Sequence, residues 1–277
     1  MSADAMRATV LAVLAEPAGA EACLDAAAAA AAAVPRAVLA ALHVRVDPET
    51  TIMPSEEILP PRRREALQLE AAGEAAALQA QFLDWRARQP PGLAAAWQDV
   101  AGGVATEVAR IGQAARLLVM AAPGPQSRGH AHAAFHAALF ATGRPLLRVP
   151  PAGPAHPPRR IAIGWKDSAV CRRAVTEAAP WLRQAVAVDV LHAVARDAAE
   201  LDAAAALLAQ LGVTAALHGL TRGAAPVGEQ LLAEAAARAA DWLVIGAWQH
   251  SRLTELLLGG VTRVVLGTAK LSVFLMH

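Results

Sequence analysis

The segment WLVIGAWQ, residues 242–249, decides the fold because it has a counterpart earlier in the chain. That counterpart is LLVMAAPG, residues 117–124, another apolar run that ends in small residues. A second pair lies upstream, ALHV at residues 41–44 and VLHA at residues 190–193, and its histidines are 149 residues apart. Self-similar segments at a nearly fixed spacing indicate repeated structural units, so the chain is predicted to consist of two similar halves.

The first half is the longer one. The spacing between counterparts falls from 149 residues at the histidines to 125 residues at the apolar runs, which leaves about 24 additional residues in the first half. They correspond to a proline-bearing, charged loop at residues 48–64 and a long helical stretch that ends near Arg88. We therefore expect the additional residues between the second and third strands of the first half.

Each half alternates short apolar runs with alanine-rich helical stretches. Apolar runs with little internal alternation, separated by helices, are typical of parallel strands that are covered on both faces. The sequence predicts an α/β protein with two tandem doubly wound domains, residues 1–151 and 159–277, each with a mainly parallel five-stranded sheet flanked by helices. A proline-rich linker at residues 150–158 joins them. One continuous sheet, or halves without a twofold relation, would contradict this organisation.

Each half ends in an apolar strand, at residues 146–149 and 272–275. An unpaired apolar sheet edge invites association. The two final strands are therefore predicted to pair or pack with each other within one chain, as an intramolecular pseudo-dimer. Further homodimerisation stays open.

Composition excludes several classes of protein. The chain has 277 residues, of which 56% are hydrophobic, but much of this excess is alanine, and no run approaches the roughly 20 strongly apolar residues that span a membrane. The formal net charge of +1 and the lack of a long basic block argue against a nucleic-acid or membrane partner. Two distant cysteines, Cys23 and Cys171, fit reduced, buried thiols, and a cytoplasmic location is expected.

The segment that begins at Gly246 carries the strongest chemical signal. A strand leads into a glycine turn, a loop, and then the pair Gly259 and Gly260, which opens a helix. Backbone amides at such a turn and at a helix N-terminus favour a phosphate group by hydrogen bonding and by the helix dipole. Glycine turns also occur where no ligand binds, so the pattern alone leaves both interpretations open.

The same residues carry a family resemblance. VIGAWQHSRLTELLLGGVTRVVL, with VFLMH at the C-terminus and LFATGRPLLRVPP at residues 139–151, resembles the universal stress protein family, and the whole chain resembles its tandem two-domain bacterial members. The resemblance implies a stress-response protein that acts by binding rather than by catalysis. It implies that ATP or another adenine nucleotide is the ligand of members whose glycine motif is intact.

The chain departs from that motif at two positions. Gly246 and Gly259 match, but Gln249 stands at the second glycine and Gly260 at the hydroxyl residue. The adenine-contacting acid of the family aligns with Lys166, although Asp167 is adjacent. If ATP binds in the C-terminal half, the resemblance assigns it to the following residues: Lys166, Gly246, Gln249, Ser251, Arg252, Gly259, Gly260, Val261 and Thr262.

The first half departs further. Ala121 or Ala122 replaces Gly246, and Pro123 and Pro125 remove amide donors from the turn, so a phosphate cradle is not expected there and the half is interpreted as a structural or partner-binding copy. His130, His132 and His136 cluster near a helix start, and His132 and His136 have the i, i+4 spacing that can share a metal ion. No HExxH pattern and no obvious third ligand accompany them, so these histidines are expected at a surface or pocket edge. His43 and His192 are expected to end their strands and bind backbone atoms.

Three functions remain at this stage. The first is a stress-response protein that acts by binding a protein partner, which the sequence leaves unidentified. The second is a sensor of ATP or a related adenine nucleotide. The third is a slow nucleotide-hydrolysing enzyme, which the sequence disfavours because no general base, nucleophile or metal pair stands out near the glycine turn.

The two departures predict an effect on affinity. The double substitution Gln249→Gly and Gly260→Ser should tighten ATP binding tenfold or more. It relieves backbone strain and adds a hydrogen bond to an anionic oxygen, worth about 1.5 to 3 kcal/mol, and about 1.4 kcal/mol corresponds to a factor of ten. Isothermal titration of both proteins measures the change. Tight ATP binding by the unmodified chain would show that the departures matter little.

Overall fold

The computed structural model describes residues 9–47, 60–150, 156–193, 198–221, 223–247 and 260–277. Within them the chain is an α/β protein with a mostly parallel sheet between two layers of helices. The predicted fold class is confirmed in this respect.

Ten strands and eight helices alternate along the described chain. The strands are β1 Thr9–Val13, β2 Val38–Val46, β3 Ala95–Gly102, β4 Leu117–Ala121, β5 Leu146–Val149, β6 Arg160–Trp165, β7 Ala187–His192, β8 Ala216–Gly219, β9 Trp242–Gly246 and β10 Ser272–Met276. The helices are α1 Ala20–Ala32, α2 Pro61–Ala87, α3 Val104–Gly112, α4 Gly129–Phe140, α5 Ala169–Leu182, α6 Ala198–Gln210, α7 Val227–Ala237 and α8 Gly260–Thr268.

The ten strands form one sheet with the order β3-β2-β1-β4-β5-β10-β9-β6-β7-β8. Read outward from the centre, the order is the same in both halves, and all pairs within a half are parallel. Strands β5 and β10 pair antiparallel, with Phe274 opposite Leu147. The predicted pairing of the final strands is confirmed, and the expectation that the sheet is not continuous is wrong, because this same edge pairing joins the two five-stranded units.

Two apolar cores lie on opposite faces of the sheet. Helices α1, α2, α5 and α6 cover one face, and helices α3, α4, α7 and α8 cover the other. The central strands are mostly apolar for this reason, and every residue of β5 and β10 is buried. Helix α1 is nearly all alanine and buries eight of its residues, because side chains this small allow the helix to lie close to the sheet.

Helix α2 is the main difference between the halves. It has 27 residues, whereas its counterpart α6 has 13, and it lies between the second and third strands of the first half as predicted. Four of its residues are buried against the body: Ala75, Leu78, Phe82 and Trp85. The remaining length extends beyond the core.

Polar contacts fix the junction between the halves. The buried Arg148 side chain of β5 donates to the carbonyl oxygens of Ala269, at 2.7 Å, and Leu266, at 3.3 Å, near the end of α8. A cation suits the negative end of a helix. On the other face, Trp181 Nε1 of α5 donates to the carbonyl oxygen of Ala30 in α1 at 3.0 Å. Each half therefore supplies a donor for the other half's helix carbonyls.

The Arg148 contact should be measurable as stability. The substitution Arg148→Met removes the donor from two carbonyls and should lower the free energy of unfolding by roughly 2 kcal/mol, because buried acceptors left without partners are costly. Denaturant titration followed by circular dichroism measures it. Arg160→Met is the matched control, since Arg160 Nε also donates to a carbonyl, that of Arg238 at 2.7 Å, but in an exposed position that water can replace. Equal effects of the two substitutions would contradict this account.

Candidate functional site

Doubly wound sheets bind ligands where the strand order reverses, at the carboxyl ends of the strands. This chain has two such positions, between β1 and β4 and between β6 and β9. The sequence pointed to the second. The pairing of Ile163 with Val244 places Gly246 level with Trp165, the last residue of β6, so that Lys166 follows directly beside it. The structure therefore brings Gly246 and the exposed Lys166 together.

Gly246 has a packing role of its own. A Cβ atom at this position would lie 2.9 Å from the backbone nitrogen of Cys171 and 3.2 Å from the carbonyl carbon of Val170. The end of β9 thus contacts the first turn of α5, which begins after Ser168, whose hydroxyl caps the N–H group of Cys171 at 3.2 Å. Close packing requires glycine here whether or not a phosphate binds.

Helix α8 supplies the other described members of the predicted site. It begins at the exposed Gly260, where an added Cβ would meet nothing within 4 Å, so a serine side chain has room there. Val261 is half-buried and Thr262 is buried. The helix starts on the carboxyl side of the sheet, because it returns the chain to the beginning of β10. Gln249, Ser251, Arg252 and Gly259 lie outside the described residues.

Asp167, the acid next to Lys166, is already paired with Arg172. Both carboxylate oxygens of Asp167 accept from Arg172, at 2.5 Å and 2.8 Å, and this hydrogen bonding lowers the pKa of Asp167. The backbone N–H of Asp167 donates to Glu200, and the indole N–H of Trp165 donates to the Glu200 carbonyl at 2.9 Å. A ligand that used Asp167 would have to displace Arg172.

The equivalent histidines of the two halves, His43 and His192, contact backbone carbonyl groups, as predicted. His43 Nδ1 lies 2.8 Å from the carbonyl oxygen of Leu14, and His192 Nδ1 lies 3.2 Å from that of Trp165. Each histidine thus contacts the end of the neighbouring strand in its own half. His192 ends β7, but His43 lies inside β2, which continues to Val46, so the expectation that it ends its strand is wrong.

Buried thiols accompany these contacts. Cys23 and Cys171 are both buried, and burial raises the pKa of Cys23 to about 12 and also raises that of Cys171. Both therefore stay protonated at neutral pH and behave as small apolar groups, as expected.

A solvent-open cavity of about 350 Å³, with several charged residues in its lining, lies at the other switch point, in the N-terminal half. The loop after β1 contributes Glu16, the loop after β4 contributes Gln126 and Arg128, and the middle of α2 contributes Glu70 and Glu74. Gly19 lies where this β1 loop enters α1, with a φ of 79° that favours glycine, and its missing Cβ avoids Ala121. The long helix of the first half thus forms one wall of the crevice.

Ion pairs cross this crevice. Arg128 lies 2.8 Å from a carboxylate oxygen of Glu70 and 3.8 Å from one of Glu74. His130, in the first turn of α4, lies 3.6 Å from Glu74 and 3.0 Å from the carbonyl oxygen of Ala15. The Ser127 hydroxyl donates to Glu16. Three structural elements are therefore linked across the cavity by charged and polar side chains.

The Glu74–His130 pair shifts both groups toward their charged forms. Burial alone would raise the pKa of Glu74, but the interaction with His130 and the charge of Arg128 outweigh it and lower the pKa. The interaction with the Glu74 carboxylate raises the pKa of His130 against the opposing effect of burial. The glutamate contribution to stability is lost as pH falls below about 4.5, and the histidine contribution is lost as pH rises above about 6.5 through its raised pKa. The pair is therefore most stabilising between those values.

Sequence reasoning missed this crevice. His130 was expected at a pocket edge, and it lies at one, while His132 is exposed and His136 contacts Phe140 with ring centroids 4.8 Å apart. Glu70 and Glu74 were not singled out, because on a long polar helix they resemble any solvated carboxylates. Glu16 and Glu74 are 58 residues apart in the sequence, and no sequence pattern indicates that they line the same cavity.

The described residues place limits on other functions. No group of three or more His, Cys, Asp or Glu side chains among them could hold a metal ion. None of the helices described is long and apolar enough to span a membrane.

No family model matches the chain, and no curated protein matches it. Several solved structures, in contrast, superpose on it. A universal stress protein from Archaeoglobus fulgidus superposes with a TM-score of 0.73 and 13% identity over 98% of each chain. A putative universal stress protein from Pseudomonas aeruginosa gives 0.60 and 18% over 98% of this chain and 94% of its own. A protein of unknown function from the same species gives 0.62 and 18%, over 99% and 94%. The chain has the fold of these universal stress protein structures along nearly its entire length.

The pKa shifts generate a prediction. The substitution Glu74→Gln should lower the pKa of His130, because it removes the negative charge that stabilises the imidazolium and leaves the opposing effect of burial. A nuclear magnetic resonance titration of the His130 ring measures it. Glu70→Gln is the control, since Glu70 pairs with Arg128, and it should change the His130 titration much less. An unchanged midpoint in Glu74→Gln would show that the two groups do not interact in solution.

Proposed function

We propose that the chain is a tandem universal stress protein that acts in the stress response by binding rather than by catalysis. The whole-length structural likeness supports the family, and the resemblance of residues 139–151 and of the C-terminal segment agrees with it. A cytoplasmic location is part of the same proposal and rests on the two reduced thiols.

The observation that carries the binding proposal is the solvent-open cavity of the N-terminal half. Its volume of about 350 Å³ is within the range for small-molecule sites, and it lies at a position where doubly wound sheets bind ligands. The loops after β1 and β4 do not form it alone, because α2 supplies a helical wall that carries Glu70 and Glu74. A small ligand would therefore meet side chains held by secondary structure.

The charge of the cavity favours a positively charged ligand. Three carboxylates, those of Glu16, Glu70 and Glu74, face two basic groups, the guanidinium of Arg128 and the imidazole of His130. The net charge of these five groups stays negative even when His130 is protonated. An amine or guanidinium group could replace Arg128 as the partner of these carboxylates or bind beside it. A phosphate would be repelled by the carboxylates, which carry the same sign of charge.

Adenine nucleotide binding in the C-terminal half is the second candidate. The placement of Gly246 and Lys166 at one switch point and the open space at Gly260 favour it. The engagement of Asp167 by Arg172 opposes it. A nucleotide would thus occupy a different crevice from the ligand of the N-terminal half.

One experiment separates the two candidates. Isothermal titration of the full chain with arginine, glutamate and ATP should show binding of arginine in preference to glutamate. The double substitution Glu70→Gln and Glu74→Gln should weaken arginine binding at least tenfold, because charge-assisted hydrogen bonds contribute about 1.5 to 3 kcal/mol each. Glu229→Gln removes the same charge at an exposed position of α7 and is the control.

The outcomes distinguish the sites. Arginine binding that the double substitution leaves unchanged would contradict a site in the N-terminal crevice. ATP binding that Gln249→Gly with Gly260→Ser strengthens, without any arginine binding, would favour the nucleotide candidate. An enzyme would release phosphate from ATP over time, which a phosphate assay detects.

A further inference from the structure

The outward face of α2 carries an apolar seam that the fold leaves uncovered. Leucine or alanine recurs every seven residues at Leu69, Ala76 and Leu83. A second series of small residues runs between them at Ala66, Gly73, Ala80 and Ala87. All seven positions are exposed, with Leu69 at 74% and Leu83 at 57%. Two interleaved seven-residue series are the pattern of a coiled-coil face.

The seam lies opposite the face that holds α2 to the protein. Phe82 and Trp85 are buried against the body, and Trp85 Nε1 donates to Asp25 of α1 at 2.8 Å. The seam is therefore not needed for packing within the chain. At its centre a Cβ added to Gly73 would meet nothing within 4 Å, so a second helix can approach closely there.

Pairing with a second copy in the antiparallel direction gives complementary layers. Leu69 then faces Ala80 of the second copy, and Ala66 faces its Leu83, so every large side chain meets a small one. The central layers pair Gly73 with Ala76. Alternation of large and small residues lets two helices interlock without voids.

Charges beside the seam agree with the same register. It places Arg63 beside Asp84 of the second copy and Glu65 beside its Arg86. By the twofold symmetry each of these opposite-charge pairs forms twice. Within the described part of the chain these four side chains form no ion pair with one another or with other groups. A parallel pairing would instead bring Glu65 next to Glu70, which repel.

We propose that this seam is the interface of a homodimer, in which α2 packs antiparallel against α2 of a second copy of the chain. The seam spans 22 residues, from Ala66 to Ala87, or about 33 Å at 1.5 Å per residue. A strip of about 10 Å width gives roughly 330 Å² of helix face per copy, which is below the roughly 800 Å² typical of stable complexes. The dimer is therefore concentration-dependent rather than obligate.

Charge reversal tests both the interface and its direction. Sedimentation velocity of the full chain over a series of concentrations should show a monomer–dimer equilibrium. Arg63→Asp and Asp84→Arg should each raise the dissociation constant at least tenfold, because each creates two repulsive contacts. The double variant, and an equimolar mixture of the two single variants, should restore the dimer.

The design separates loss of the interface from loss of the helix. Arg63 lies in the first turn of α2 and Asp84 near its end, so each reversal suits the helix dipole better than the native residue and should not melt the helix. Leu83→Glu should abolish dimerisation, and Val186→Glu, at another exposed apolar residue, should not. A monomer at all concentrations, a dimer that survives Leu83→Glu, or reversals without rescue would each overturn the proposal.

Discussion

The antiparallel pairing of β5 with β10 is the constraint on which the rest of the structure depends. Each half has only five strands, and every residue of its last strand is buried. Such an edge is stable only if another strand covers it. Once the two edges pair, the helices beside them also meet, and the contacts of Arg148 and Trp181 across the junction follow from that proximity. The junction is therefore as well packed as the interior of each half.

The halves diverge where the chain leaves this common framework. In the second half a 13-residue helix connects the second and third strands, and after β6 the Asp167 carboxylate is paired with Arg172. In the first half the longer α2 reaches the loop after β4 and contributes two carboxylates to a cavity. The additional helical length thus adds two negative charges to the crevice of the first half. It also presents an uncovered face on its other side.

The parts of the fold that depend on local pattern were predictable. The apolar strands, the position of the additional residues and the pairing of final strands all follow from periodicity and edge exposure. The backbone contacts of His43 and His192 followed from their equivalent positions. The crevice of the first half did not, because Glu16, Glu74 and His130 come together only through tertiary packing. Gly246 shows that a motif residue can have a second explanation. The sequence assigns it to a phosphate-binding motif, whereas the structure shows that a side chain at this position would collide with the backbone of Cys171.

The antiparallel junction has a geometric consequence for ligands. Strands are parallel within each half, so the carboxyl ends of the first half and those of the second half lie along opposite rims of the one sheet. The two switch points are four strand spacings apart, about 19 Å across the sheet, and are offset by the length of a strand, about 17 Å. Molecules bound at both would enter from opposite poles without touching. Because the two switch points lie this far apart and share no side chains among the described residues, substitutions at one pole are expected to combine additively with substitutions at the other.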